Sequence, residues 1–207
     1  MINEILQDYK VILASGSEPR KQILNQLGIK FTVIIPDCKE ECDPSVGPIE
    51  YVKVISKLKM DAAIKLISGY KENDKIFIIS ADTIMYFNNK ILGKPKGENE
   101  AFQVLLEMKG KQLECYTGLM CTLIESGKII TNISFENTII QMRDYDEIEI
   151  KAYLNSLEYI GRAGSYAIQG KGAQLIEKLN GCYFNVVGLP INCLIKLTKN
   201  LIKLKNN

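Results

Sequence analysis

Two hydrophobic periods run along the chain, one near 3.6 residues and one of two, and the points where they change predict its elements. Val11 to Ala14 reads as a buried strand, Ser15 to Ser17 as a turn, and Glu18 to Leu27 as a helix with Ile23, Leu24 and Leu27 on one face, closed by Gly28. FTVII, residues 31 to 35, is a second strand ending at Pro36, and the acidic loop DCKEECDPSVGP follows it. Val52, Ile55, Leu58, Ala62 and Leu66 recur at helical spacing and predict a helix over 49–68, stopped at Gly69. KIFIISADTIMYF, residues 75 to 87, is the strongest strand, and Asn88-Asn89 before KIL predicts a hairpin. GKPKG leads into a short helix over 98–109, capped by Gly110.

Residues 112–124 and 128–142 alternate as paired strands around the turn ESG. Asp144 and Glu147, at capping-box spacing, predict a helix running to Asn155. A glycine-punctuated stretch over 161–181 then precedes VVGLP and a terminal amphipathic helix over 191–203. Helices and strands interleave, but hairpins are present too. The expected architecture is therefore mixed α/β, with 1–207 as one domain and a mixed rather than fully parallel sheet.

Charge changes the picture mainly by exclusion. With 26 basic and 24 acidic residues the net charge is +2, too small for a general field that gathers nucleic acid, so any anion site must be local. Lys196, Lys199, Lys203 and Lys205 read as a solvated face of the last helix. Residues 1–10 lack a basic start and a sustained apolar stretch, so no secretory signal is expected, and no apolar run is long enough to span a bilayer. The six cysteines are irregularly spaced and are expected to be reduced, mostly packed thiols. There is no histidine, which excludes Ser-His-Asp and Cys-His nucleophile systems. Catalysis must rest on carboxylates, lysine and metal.

Five places could carry it. Asp82 follows a run buried on both faces, where a carboxylate is costly unless it is paired or binds a cation; a turn-capping Asp is the alternative. Asp37, Glu40, Glu41 and Asp43 supply hard oxygen ligands suited to Mg²⁺, or simply a charged surface loop. Lys94, between Gly93 and Pro95, could offset phosphate charge or decorate a loop. Ser15, Ser17 and Arg20 surround a helix start, which fits a structural cap as well as a phosphate site. Gln169, between glycines, can donate to and accept from a pyrimidine edge at once.

In order, LASGSEPRKQILNQLGI, YVKVISKLKMDAA, SADTI, ILGKP, YTG, AGSYAIQGKGAQLIEKLNG and NVVGLP resemble the Maf family of nucleotide pyrophosphatases over residues 11 to 195. The resemblance implies a fold like that of the inosine triphosphate pyrophosphatases: an elongated mixed sheet flanked by helices, with two lobes and a central cleft. It implies a hydrolase that converts a nucleoside triphosphate to the monophosphate and pyrophosphate with a divalent metal, Mg²⁺ or Mn²⁺. Asp82 then matches the proton acceptor and, with Glu40, the metal-holding acids, while Lys39 stands where many members carry another acid. Lys59 and Lys94 match the lysines facing the phosphates, Ser15, Ser17 and Arg20 the first phosphate-binding turn, and Thr83 and Gln169 positions tied to base choice.

ADT and YAIQG resemble the members that prefer dTTP and UTP. The usual Ser-x-Ser-Pro-Arg-Arg is altered, however, so that Pro19 stands in place of the first arginine and only Arg20 remains. The usual DKAG is also altered, to Gly161-Arg162-Ala163-Gly164. The resemblance thus points to a cytoplasmic dTTP/UTP pyrophosphatase that clears unwanted nucleotides. Its rivals are a 7-methyl-GTP enzyme of the same family, and a non-catalytic nucleotide sensor or nucleic-acid-binding regulator of cell division. The sequence does not set the oligomeric state; related proteins often form dimers, so the resemblance allows a homodimer, and no stable nucleic-acid or membrane partner is expected.

Overall fold

The structure is a computed structural model and describes residues 1–67 and 74–205. Helix α1 (Ile2–Leu6) precedes strand β1 (Lys10–Leu13), helix α2 (Glu18–Gln26) and strand β2 (Phe31–Val33). Next come α3 (Pro48–Leu66), β3 (Ile76–Phe87), β4 (Lys90–Leu92), α4 (Glu98–Met108), and the long pair β5 (Gln112–Glu125) and β6 (Lys128–Met142). Helix α5 (Glu147–Leu154), strand β7 (Ile176–Asn180), α6 (Tyr183–Val187) and α7 (Ile191–Lys205) complete the order. The seven strands form one mixed sheet in the order β2-β1-β3-β5-β6-β7, with β4 paired to β3. β1 runs parallel to β2 and β3, and the remaining pairs are antiparallel. This is the mixed α/β sheet with flanking helices expected from the interleaved pattern.

The register of β3 explains where the cleft lies. On one face, Phe77, Ile79 and Ala81 belong to a core built with α1, α2 and α7, whereas Met85 and Phe87 belong to another built with α4 and α5. Thr83 falls in the gap between these two cores. On the opposite face, Ile76 and Ile78 pack under Met60 and Ala63 of α3, and Ile84 packs with Val52. β1 keeps β3 company only as far as Leu13, opposite Ile79. Beyond that point the parallel sheet opens, and β3 continues as the middle of an antiparallel ribbon. Asp82 therefore lies mid-strand, opposite Gly118, inside the strand expected over 75–87, and does not cap a turn.

Both hairpins turn on left-handed pairs, Asn88 (φ 49°) with Asn89 (φ 58°) and Ser126 (φ 52°) with Gly127 (φ 72°), matching the twist of the flanking strands. Several sequence expectations need correction. β2 ends at Val33, two residues early. The buried stripe of α3 is Val52, Ile55, Ser56, Met60 and Ala63; Leu58 and Ala62 are half-buried and Leu66 is 58% exposed. The apolar spacing misled because two polar residues, Ser56 and Lys59, lie along the side of α3 that meets the sheet. The expected stop at Gly69 lies outside the described residues. The cap of α5 is Asp146, whose carboxylate accepts from Glu149 N at 2.9 Å while Glu149 Oε2 accepts from Asp146 N at 3.1 Å. Asp-x-x-Glu occurs twice here, two residues apart, and only the second caps.

Lys196, Lys199 and Lys203 are solvated, as expected, whereas Lys205 Nζ bonds Glu125 at 2.7 Å. All six cysteines are free thiols. Among the described residues no helix is long and apolar enough to cross a membrane.

Candidate active site

A cleft of about 660 Å³ opens at the gap between the cores, and Ser15, Ser17, Arg20, Glu40, Lys59, Asp82, Thr83, Lys94 and Gln169 all line it. Residues spread over more than 150 positions of sequence thus meet in one place.

Its charged centre is built by α3 on β3. Gly118 lets the helix approach so closely that a Cβ there would lie 2.3 Å from Val52 O. The Ser56 hydroxyl lies 2.6 Å from Val52 O and 2.9 Å from Gly118 O, and Ser80 Oγ donates to Ser56 O at 2.9 Å. One turn further on, Lys59 lies over Asp82 on the face of β3 that α3 covers. Its ammonium bonds Asp82 Oδ1 at 2.7 Å and Glu40 Oε2 at 2.9 Å. The side chains of Lys59 and Asp82 are each 12% exposed, whereas Glu40 is 54% exposed on its loop. A carboxylate as buried as Asp82 needs such a counter-ion, because desolvation penalises an unpaired charge by several kcal/mol.

Two carboxylates already converge on one cation, one from a rigid strand and one from a loop. Hard oxygens in that number suit Mg²⁺ or Mn²⁺, which use one or two carboxylates and take their other ligands from phosphate and water. Glu40 and Asp82 therefore fit a divalent ion. Tyr51 lines the same wall, and burial, together with the negative charges of Asp82, Cys42 and Glu40, pushes its phenol up.

The floor of the cleft is a braced turn. Arg20 is buried, and three of its N–H groups go to protein: Nε to Gly188 O at 2.8 Å, Nη1 to Ser15 Oγ at 3.0 Å and Nη2 to Thr83 Oγ1 at 3.0 Å. Burial pulls the guanidinium below its ordinary value, and the charges of Asp82, Glu40 and Cys115 oppose that. Ser15 Oγ also accepts from Ser17 N at 3.2 Å. The strand, the turn and the α6–α7 corner are thereby tied together, so the surviving arginine of the motif is largely spent as a brace.

Proton directions beyond Thr83 follow from counting donors. Thr117 Oγ1 donates to Asn185 O at 3.1 Å, so the Thr83 hydroxyl must donate to Thr117 Oγ1 across 2.9 Å. Thr83 therefore offers the cleft an acceptor only. Thr117 and Asn185 belong to the YTG and NVVGLP segments of the resemblance, but only the folded sheet brings them under Thr83 and shows what they do. Opposite, Gly164 N donates to Gly93 O at 3.3 Å, pinning the glycine loop to the segment that carries the exposed Lys94. Gln169 is held from both sides, with Ala167 N donating to Tyr153 Oη at 3.1 Å and Lys171 N to Glu158 Oε2 at 2.7 Å.

Comparison with known proteins supplies the relatives of this arrangement. The family model described as Maf-like protein matches residues 10–201. The chain belongs to the Maf family. A Clostridium botulinum protein (strain Hall) named dTTP/UTP pyrophosphatase is 37% identical over 198 residues, 95% of this chain and 98% of that one. A Caldicellulosiruptor saccharolyticus protein of the same name is 38% identical over 195 residues, 94% of each chain. Among solved structures, that of the Staphylococcus aureus Ham1 protein matches with a TM-score of 0.39 and 14% identity, over 65% of this chain and 72% of that one. So slight a likeness carries no weight beside the sheet itself. The Maf match covers both walls of the cleft, from Ser15 to Gly188.

Proposed function

We propose that this Maf protein hydrolyses dTTP and UTP to the monophosphate and pyrophosphate, as a cytoplasmic enzyme that removes unwanted nucleotides. The observation that carries this reading is the Lys59 ammonium held between Asp82 and Glu40 in a cleft sized for a nucleotide. The names of its relatives support the same substrates.

In this reading Asp82 accepts the proton of a water attacking the α-phosphorus in line, held on its strand so that no reorganisation accompanies the transfer. Lys59 and Lys94 offset the charge that gathers on the departing pyrophosphate. Glu40 and Asp82 would hold Mg²⁺ or Mn²⁺, which supplies Lewis-acid polarisation of phosphate oxygens when bound. Ser15, Ser17 and the amides of the braced turn take the phosphate chain, with Arg20 keeping the turn in shape. Thr83 and Gln169 read the base: an acceptor at Thr83 suits the N3–H of thymine and uracil, a proton that cytosine lacks.

One observation favours a second reading. Pro19 removes both a guanidinium and an amide from the turn, and 7-methyl-GTP enzymes of the family also lack that arginine. A side-by-side assay of dTTP, UTP, dCTP and 7-methyl-GTP with Mg²⁺ separates the two. Pyrophosphate release fastest from dTTP and UTP supports the first reading; a preference for 7-methyl-GTP installs the second, and release from none overturns both.

A further inference from the structure

The charged centre contains one cation and a place for another, and they compete. Lys59 Nζ lies within 3 Å of both carboxylates that would hold a divalent ion, at 2.7 Å from Asp82 and 2.9 Å from Glu40. A divalent ion ligated by the same two oxygens would stand against a full positive charge in a partly desolvated site, where repulsion is much stronger than in water. The ammonium would have to leave. Its side chain is only 12% exposed, and α3 is fixed by Ser56 and the close approach at Gly118, so the lysine cannot withdraw with its helix. Among the described residues, the only other acid lining the cleft is Glu18, which is paired with Lys21 at 3.1 Å. Until phosphate arrives, the described residues lining the cleft offer Lys59 no unpaired acid besides Asp82 and Glu40.

We propose that Lys59 keeps divalent metal out of the nucleotide-free site, and that metal is retained only with the nucleotide, whose phosphates take the ammonium from Asp82 and Glu40. This rests on the reading of the cleft as a triphosphate site. The lysine is then a counter-ion that changes partners: it neutralises Asp82 in the empty protein and the phosphates in the loaded one. Net charge at the centre is kept low in both states, and the carboxylates are freed for metal at the moment substrate is present.

The test reads Mn²⁺ binding, without turnover, from the free-ion electron paramagnetic resonance signal of manganese chloride. Wild-type protein alone is expected to bind Mn²⁺ at least tenfold more weakly than Lys59→Met or Lys59→Gln, while Lys59→Arg stays as weak as wild type. Adding thymidine α,β-imido-triphosphate should tighten Mn²⁺ binding to wild type at least tenfold and bring it within about threefold of Lys59→Gln. Adding Asp82→Asn to Lys59→Gln should abolish the tight site. Equal Mn²⁺ affinity of wild type and both neutral variants would overturn the proposal. So would a tight site that survives Asp82→Asn. If the neutral variants bind Mn²⁺ tightly but no nucleotide is hydrolysed by wild type, the competition stands and the substrate assignment falls. Circular dichroism of each variant shows that folded protein is being compared.

Discussion

Lys59 and Asp82, 23 residues apart in the chain, meet at 2.7 Å because Gly118, directly opposite Asp82 in the sheet, has no side chain to hold α3 away. The chemistry of the cleft depends on a helix-to-sheet distance as much as on the charged residues themselves. Gly118→Ala puts a Cβ 2.3 Å from Val52 O, so the helix must shift and carry Lys59 with it. We expect kcat for dTTP to fall about 100-fold, since small displacements of a positioned group cost that much. The thermal midpoint should fall as well. Ser56→Ala, which only removes the tie, should cost about 1–2 kcal/mol of stability and less activity.

Asp82→Asn keeps the shape and removes the proposed base. kcat should fall by at least about 100-fold, the usual worth of a positioned general base. Stability should fall by about 1–3 kcal/mol, because the buried ammonium of Lys59 is left with Glu40 as its counter-ion. Steady-state kinetics together with thermal unfolding separates the two effects.

Arg20→Met leaves Ser15 Oγ, Gly188 O and Thr83 Oγ1 without their buried donor. Loss of about 2–4 kcal/mol in denaturant unfolding is expected, with a raised KM as the turn loosens. A variant of unchanged stability would show that the guanidinium is not the brace described above.

Much of this arrangement can be read from residues 11–24 and 75–92, and the rest cannot, for identifiable reasons. The run around Asp82 announces a buried strand, and the Asn88-Asn89 turn announces its hairpin, because both signals are local. The inner side of α3 is hidden by Ser56 and Lys59, polar residues that fold inward for a purpose outside the helix. β7 is a largely exposed edge strand, IEKLN, with no alternation to betray it. The relay from Thr83 through Thr117 to Asn185 joins three elements and has no spacing to detect.

That relay makes a prediction about selectivity. Thr117→Val removes the acceptor that holds the Thr83 proton, freeing the hydroxyl to donate to N3 of cytosine. The ratio of kcat/KM for dTTP over dCTP should fall at least tenfold, about 1.4 kcal/mol, with the dTTP rate itself less affected. An unchanged ratio would remove Thr83 from base reading.

Burial also sets an alkaline limit. The Cys115 thiol, whose ordinary value is 9.0, is pushed up to about 12 by burial against the favourable charge of Arg20. In the unfolded chain it ionises near 9, so the folded state holds the proton more tightly. Its contribution is fully present below about 9 and is lost as pH rises towards 12, at up to about 1.4 kcal/mol per unit. The slope of stability against pH across that window should be visibly shallower in Cys115→Ala.

The position of attack tests the account most directly. dTTP hydrolysed in ¹⁸O-water by wild-type protein with Mg²⁺ should yield dTMP carrying one ¹⁸O and pyrophosphate carrying none, as attack at the α-phosphorus requires. Label in the pyrophosphate, or dTDP with labelled phosphate, would contradict it.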